Sequence, residues 1–106
     1  MGGGAGRARR FPFALPVQYR PVGDTAWHDG QMENISRSGV LFRTPAVLDV
    51  DTEVDICFVL PLPRARPAVL CRGRVVRTVL PAEGRPPGLA VTIARYRFRR
   101  EKRLTA

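Results

Sequence analysis

Short runs in which apolar and polar residues alternate are the feature that most constrains the fold of this chain. The run "EVDICFVL", residues 53–60, places Val54 and Ile56 on one face and charged residues on the other. Residues 13–20 and 88–96 repeat the same alternation. Because successive side chains of a β-strand point to opposite faces, each run is typical of a half-buried strand.

Loops rich in Gly and Pro separate these runs, and the chain contains ten residues of each type. Many short strands between turn-rich loops, with no long helical pattern, favour a small antiparallel barrel or sandwich. A closed barrel leaves no exposed strand edge, so we predict an all-β, six-stranded antiparallel barrel. Pro16 is expected at a sheet edge or bulge, and Gly73 at a bulge or bend. The predicted strands are 13–20, 27–35, 40–44, 53–60, 68–80 and 88–96.

The length of 106 residues suits one domain with one core. The start, "MGGGAG", predicts a disordered tail over residues 1–6, followed by a flexible basic arm over 7–12. The barrel itself is expected to cover residues 13–96. Residues 97–106 are predicted to form a basic tail or a short C-terminal helix.

The formal net charge is +9, and of the 18 basic residues only Lys102 is a lysine. Arginine grips phosphate with two parallel hydrogen bonds and stacks on flat rings, which lysine does not do. The charge therefore favours an anionic partner such as a nucleotide, a nucleic acid or an acidic protein. An Arg-rich genome would also explain part of the excess.

Residues for catalysis or metal binding are poorly represented. The one histidine, His28, lies in a polar segment and is expected at the surface, and Asp49 and Asp51 lack the further ligands of a metal loop. Cys57 and Cys71 lack zinc-site spacing and are expected to be semi-buried thiols in a reducing compartment. We therefore expect a cytoplasmic protein without enzymatic activity, metal, cofactor or membrane insertion.

The segment "NISRSG", residues 34–39, has the residue types of an ordinary hairpin turn. The same residues would also suit a guanine nucleotide. The side-chain oxygens of Asn34 and Ser36 can accept hydrogen bonds from the guanine edge, and Gly39 allows close backbone approach. Arginines such as those of the basic arm would bind the phosphates and the guanine O6 and N7.

These features resemble the PilZ domain, the bacterial receptor module for cyclic di-GMP. Its signature is an RxxxR segment before the first strand, followed by [D/N]xSxxG, which "NISRSG" matches at Asn34, Ser36 and Gly39. The segments "ALPVQY", "GVLFRT", "CRGRVVRTV" and "GLAVTI" also resemble the family's strands, and the resemblance implies that the six-stranded barrel is of the split-barrel type. The resemblance implies that Arg9 and Arg10 meet phosphate and guanine, while the "NISRSG" residues hold the other guanine. It further implies a regulatory switch that orders its arm and then contacts an effector protein.

The first motif departs from the family pattern. When Arg9 is aligned with the first arginine of RxxxR, Phe13 stands at the position of the second. A hydrogen bond to a charged group contributes roughly 1.5–3 kcal/mol, so losing it weakens binding roughly 10- to 100-fold. Arg7, Arg10 or Arg20 could replace it.

Two further hypotheses remain open at the level of the sequence. The chain could be a PilZ-like protein-interaction module that does not bind cyclic di-GMP, which the arginine missing at Phe13 favours. Alternatively, it could be a small basic barrel that binds nucleic acid, since Tyr96 and Phe98 alternate with arginines near the C-terminus. If no ligand binds, Asn34, Ser36 and Gly39 form a plain hairpin turn, and Arg9 and Arg10 belong to a solvated basic tail.

Overall fold

A computed structural model of the chain describes residues 15–99. Over this range the chain forms a closed antiparallel barrel in the strand order β1-β2-β3-β6-β5-β4, in which β4 pairs back onto β1. The predicted six-stranded barrel is therefore confirmed, and the described residues contain no helix. The strands are β1 (Pro16–Pro21), β2 (His28–Ser36), β3 (Gly39–Arg43), β4 (Glu53–Val59), β5 (Ala68–Val79) and β6 (Gly88–Arg99).

The barrel interior is filled by alternate residues of every strand. Tyr19 and Phe42 lie at its centre, fully buried, with ring centroids 4.8 Å apart. The Tyr19 hydroxyl lies 2.6 Å from Thr44 Oγ1 and donates to the Ala46 carbonyl at 2.9 Å, so this polar group is not left unpaired in the core. The core comprises Val17, Tyr19, Met32, Val40, Phe42, Val54, Ile56, Phe58, Val69, Cys71, Val75, Leu89, Val91 and Ile93.

The irregularity predicted at Gly73 is confirmed. The pairing register between β5 and β6 shifts at this residue, and the extra residue is Ala94 of the partner strand. A Cβ atom at position 73 would lie 2.7 Å from a methyl group of Val91 and 2.8 Å from one of Ile93. Glycine is therefore required here because β6 passes too close for a side chain.

Two strand ends, the start of β1 and the end of β6, differ from the predicted ones by three residues, and the other ends agree to within one residue. Pro16 is the first residue of β1 and pairs with Gln31, so a strand start, not an edge or bulge, accommodates its missing N–H. β6 continues to Arg99, three residues past the predicted end, because the first residues of β5 pair with it as far as Ala68. The predicted disordered tail and basic arm over 1–12 lie outside the described residues. Of residues 97–106, predicted as a basic tail or short helix, 97–99 belong to β6 and the rest lie outside the described residues.

Candidate functional site

The segment predicted as a polar turn is mostly strand. β2 runs through Ser36, and Ser36 pairs with Gly39 at the start of β3. Only Arg37 and Ser38 form the turn of this hairpin. Asn34 and Ser36 therefore occupy fixed positions in a β-ladder.

A β-bulge decides which way these two side chains point. Met32 is buried in the core, and strict alternation would place Asn34 and Ser36 on the same inner face. The register of β2 against β3 shifts between Met32 and Asn34, so Glu33 is the extra residue. The shift turns Asn34 and Ser36 to the outer face, where Ser36 lies opposite Gly39.

Ion pairs hold the bulge in place. The Glu33 carboxylate accepts a 2.6 Å hydrogen bond from Arg43 Nε and a 3.0 Å bond from Arg85. The Arg43 guanidinium also donates to the carbonyls of Leu80 and Pro86. The hydrogen bond from Arg43 is the main reason that the pKa of Glu33 is lowered. No sequence signal marks this bulge, because its partners come from β3 and the 80–87 loop.

The hairpin turn is tied to β6 by backbone and side-chain hydrogen bonds. The Ser38 carbonyl accepts from the Ile93 N–H at 2.9 Å. The Tyr96 hydroxyl donates to the Ser36 carbonyl at 2.8 Å and lies 3.3 Å from the Gly39 carbonyl oxygen. Within the turn, Ser36 Oγ accepts from the Ser38 N–H at 3.3 Å. These bonds fix the turn before any ligand arrives.

Tyr96 is a site residue that the sequence did not indicate. Its position in an Arg-rich stretch suggested a stacking surface, but its ring packs against the core and its hydroxyl meets the turn. Burial raises the pKa of Tyr96, so the hydroxyl stays protonated and remains a donor near neutral pH. Phe98, two residues later, is 66% exposed.

Gly39 is required by the close approach of β3 to β6. A Cβ atom at this position would lie 2.6 Å from the Val91 carbonyl oxygen. Gly39 pairs with Thr92, whose hydroxyl lies 3.4 Å from the Ser38 carbonyl oxygen. The glycine of the motif thus has a structural role that does not depend on a ligand.

An open groove of about 730 Å³ lies on the outer face of β4, β5 and β6, and its lining also includes Arg20 of β1 and Trp27. We call it the arginine groove, because its lining includes five arginines and two carboxylates. A spacing of two residues within a strand places Arg72 and Arg74 on one outer face, and likewise Arg95 and Arg97, which is the sequence signal that could have indicated it. The charged residues of the groove are Arg20, Arg72, Arg74, Arg95, Arg97, Glu53 and Asp55.

The two carboxylates of the arginine groove form ion pairs with three of its five arginines. Arg72 holds Asp55 with two hydrogen bonds, at 2.8 and 3.4 Å, and Arg20 lies 3.6 Å from the same carboxylate. The Arg74 guanidinium nitrogen Nη2 lies 3.6 Å from Glu53 Oε2, and both side chains are half exposed. At one end the Arg20 guanidinium stacks 4.1 Å from the ring centroid of Trp27.

The structure brings Asn34, Ser36 and Gly39 together on one stretch of the hairpin. The predicted arm residues Arg9 and Arg10, and Phe13 beside them, lie outside residues 15–99.

The other polar residues singled out from the sequence form no site. No group of three or more His, Cys, Asp and Glu side chains within residues 15–99 could hold a metal ion. His28 is exposed at the start of β2, with its ring centroid 5.5 Å from that of Tyr19. Cys71 is buried, which raises the pKa of its thiol to about 12, and Cys57 is partly buried. No helix within the described range is long and apolar enough to span a membrane.

Comparison with known proteins gives one finding. A family model described as PilZ domain matches residues 6–105, nearly the whole chain. The chain shows no significant match to a curated protein or to a solved structure.

Proposed function

This chain belongs to the PilZ family, and we propose from that premise that it binds cyclic di-GMP at the β2–β3 hairpin. PilZ domains are in general cyclic di-GMP-binding regulatory modules and not enzymes. The ligand-binding residues of the proposal are Asn34, Ser36 and Gly39 of the hairpin, with Arg9 and Arg10 of the N-terminal arm.

The observation that carries the proposal is the outward orientation of Asn34 and Ser36 behind the Glu33 bulge. Within residues 15–99 no hydrogen bond engages the Asn34 amide group, so its oxygen is available to a donor on a guanine edge. Ser36 Oγ accepts a 3.3 Å bond from the Ser38 N–H and lies 3.5 Å from the Ser38 hydroxyl, and both contacts are long and exposed to solvent, so a ligand can compete for this oxygen.

The arm would complete the site. In the proposal Arg9 and Arg10 contact phosphate and guanine, and binding orders the arm across the barrel surface. The ordered arm then presents a new surface to an effector protein, so the domain acts as a switch. The barrel changes little, because the turn is already tied to β6 through Ile93 and Tyr96.

Isothermal titration calorimetry with cyclic di-GMP tests this function. The unmodified chain should bind, and Ser36→Ala should bind roughly 2- to 10-fold more weakly, as expected for the loss of a hydrogen bond between neutral groups. Thr78→Ala is the matched control, since it removes an exposed hydroxyl of β5 that forms no hydrogen bond within residues 15–99. Absence of binding by the unmodified chain at high ligand concentration would contradict the proposal.

The second candidate function is a PilZ-like protein-interaction module without a ligand. The observation in its favour is Phe13, which stands where the RxxxR pattern of the family has its second arginine. Under this hypothesis the same titration gives no heat, while the fold and the hairpin geometry are unchanged.

A further inference from the structure

We propose that the arginine groove also binds a phosphate of the ligand and supplies the cationic contact that the arm lacks at Phe13. This inference rests on the proposed function, because its ligand is cyclic di-GMP bound at the hairpin. Its new content is the assignment of Arg74 on β5 and Arg95 on β6 as residues that bind the ligand phosphate.

The groove is continuous with the hairpin through a single residue. Gly39 of β3 pairs with Thr92 of β6, and Thr92 pairs with Arg74 of β5. Neighbouring strands lie about 4.8 Å apart, so the backbone of Arg74 is about 10 Å from that of Gly39 along the sheet. One dinucleotide can therefore contact the hairpin with a base and the groove with a phosphate.

The groove has the size and the floor that such a ligand needs. Its volume of about 730 Å³ lies within the range of roughly 300–1,000 Å³ that is usual for small-molecule sites. Gly73, Thr92 and Ala94 form part of its lining, so small side chains lie between the arginines. Flat ligands can approach the sheet closely at such a surface.

The groove places like charges next to each other, which lowers the stability of the folded chain. Such an arrangement is typical of a surface that binds an anionic ligand. Arg72 and Arg95 stand directly opposite each other on β5 and β6. Like charges in this arrangement destabilise a sheet. Asp55 pairs with Arg72, but within the described range Arg95 and Arg97 form no ion pair. A bound phosphodiester would neutralise this surplus.

The ligand chemistry follows from the residue types. Arginine forks bind the two oxygens of a phosphodiester with charge-assisted hydrogen bonds. The Trp27 ring, which is 38% exposed and stacked on Arg20, offers an aromatic face at the wall of the groove. An anion that carries flat rings fits this combination better than a simple inorganic anion.

Two variants and a matched control test the assignment by calorimetric titration with cyclic di-GMP. Arg95→Ala removes a side chain without leaving a described carboxylate unpaired, and Arg74→Ala removes only a long, half-exposed ion pair. Each should weaken binding roughly 10- to 100-fold. The control, Arg66→Ala, makes the same charge change in the loop between β4 and β5 and should bind like the unmodified chain.

The outcomes separate this inference from the proposed function. If Arg95→Ala and Arg74→Ala bind normally while Ser36→Ala does not, the groove assignment is wrong and the hairpin site stands. If Arg66→Ala weakens binding as much as Arg95→Ala, the effect is one of overall charge, and the assignment is again wrong. If the unmodified chain does not bind, the proposed function itself fails.

Discussion

The β2–β3 hairpin turn and the arginine groove adjoin at Thr92, yet their polar groups are held in opposite ways. In the turn, the carbonyls of Ser36 and Ser38 accept hydrogen bonds from Tyr96 and Ile93 of β6. In the groove, five arginines outnumber two carboxylates, and Arg72 of β5 stands opposite Arg95 on the neighbouring strand β6.

This difference suggests a division of labour within one binding surface. A turn whose backbone bonds are already made loses little entropy when a ligand binds, so it can set the orientation of a base. A surface with surplus positive charge attracts a phosphate and gains stability when the charge is neutralised. The comparison predicts that substitutions which disturb the contacts between the hairpin and β6 cost stability, whereas removing charge from the groove does not.

The largest effect is expected for Gly39→Ala. The new Cβ would lie 2.6 Å from the Val91 carbonyl oxygen, so β3 must move away from β6. Overpacking of this kind costs about 1–3 kcal/mol, and each kcal/mol lowers the Tm of a small domain by roughly 4–8 °C. Thermal unfolding followed by circular dichroism measures the change, with Ser38→Ala as a control of nearly unchanged Tm.

Tyr96→Phe should have the next largest effect. It keeps the ring that packs against the core and removes only the hydroxyl that bonds the Ser36 carbonyl. The expected loss is about 0.5–1.5 kcal/mol in the free energy of unfolding, measured with urea. Faster amide hydrogen exchange confined to the turn should accompany it. Unchanged stability and exchange would show that β6 does not fix the turn through this residue.

The bulge beside the turn should make stability depend on pH. The pKa of Glu33 is lowered in the fold, chiefly by the hydrogen bond from Arg43, relative to an ordinary value of 4.5. The stabilisation from this group is therefore present above about pH 4.5 and is lost as the pH falls through the lower folded value. Glu33→Gln should reduce the drop in Tm between pH 6 and pH 3.

A matched substitution separates this effect from general acid sensitivity. Glu83→Gln changes an exposed carboxylate in the loop between β5 and β6, which forms no ion pair within residues 15–99. It should leave the acid dependence of Tm as it is in the unmodified chain. Equal effects of the two substitutions would exclude a special role for the Glu33 ion pairs.

The smallest effect, and the one of opposite sign, is expected for Arg95→Gln without ligand. The substitution removes the repulsion between residues 72 and 95 on opposite strands, so the urea midpoint should rise slightly. Arg66 lies in the Pro-rich loop and has no positively charged residue facing it on a neighbouring strand. Arg66→Gln should therefore leave the midpoint unchanged. A clear loss of stability in Arg95→Gln would show that the groove arginines stabilise the fold.

The strands could be predicted because their signal is local. Alternation over 53–60 indicates β4 with no information from the rest of the chain, and the observed strand, Glu53–Val59, ends one residue earlier. Closure of the barrel was also predictable, since a small six-stranded sheet is otherwise left with two exposed edges. Gly73 marked an irregularity because glycine is unfavourable inside a strand.

The features that shape the candidate site were harder to predict because they depend on partners distant in sequence. The Glu33 bulge rests on Arg43 and Arg85, and Tyr96 reaches a carbonyl 60 residues earlier in the chain. The arginine groove depends on the register among three strands, which the bulge at Gly73 shifts. The motif residues were correctly grouped from the sequence, but their outward direction required the bulge.

The central claim is that one cyclic di-GMP ligand contacts both the hairpin and the arginine groove. Titrating the ¹⁵N-labelled protein with cyclic di-GMP and following its amide resonances tests this most directly. The account predicts saturable shifts of Ser36 and Gly39 together with Thr92, Arg74 and Arg95, all with the same affinity. Shifts confined to the hairpin, or no saturable shift anywhere in the barrel, would contradict it.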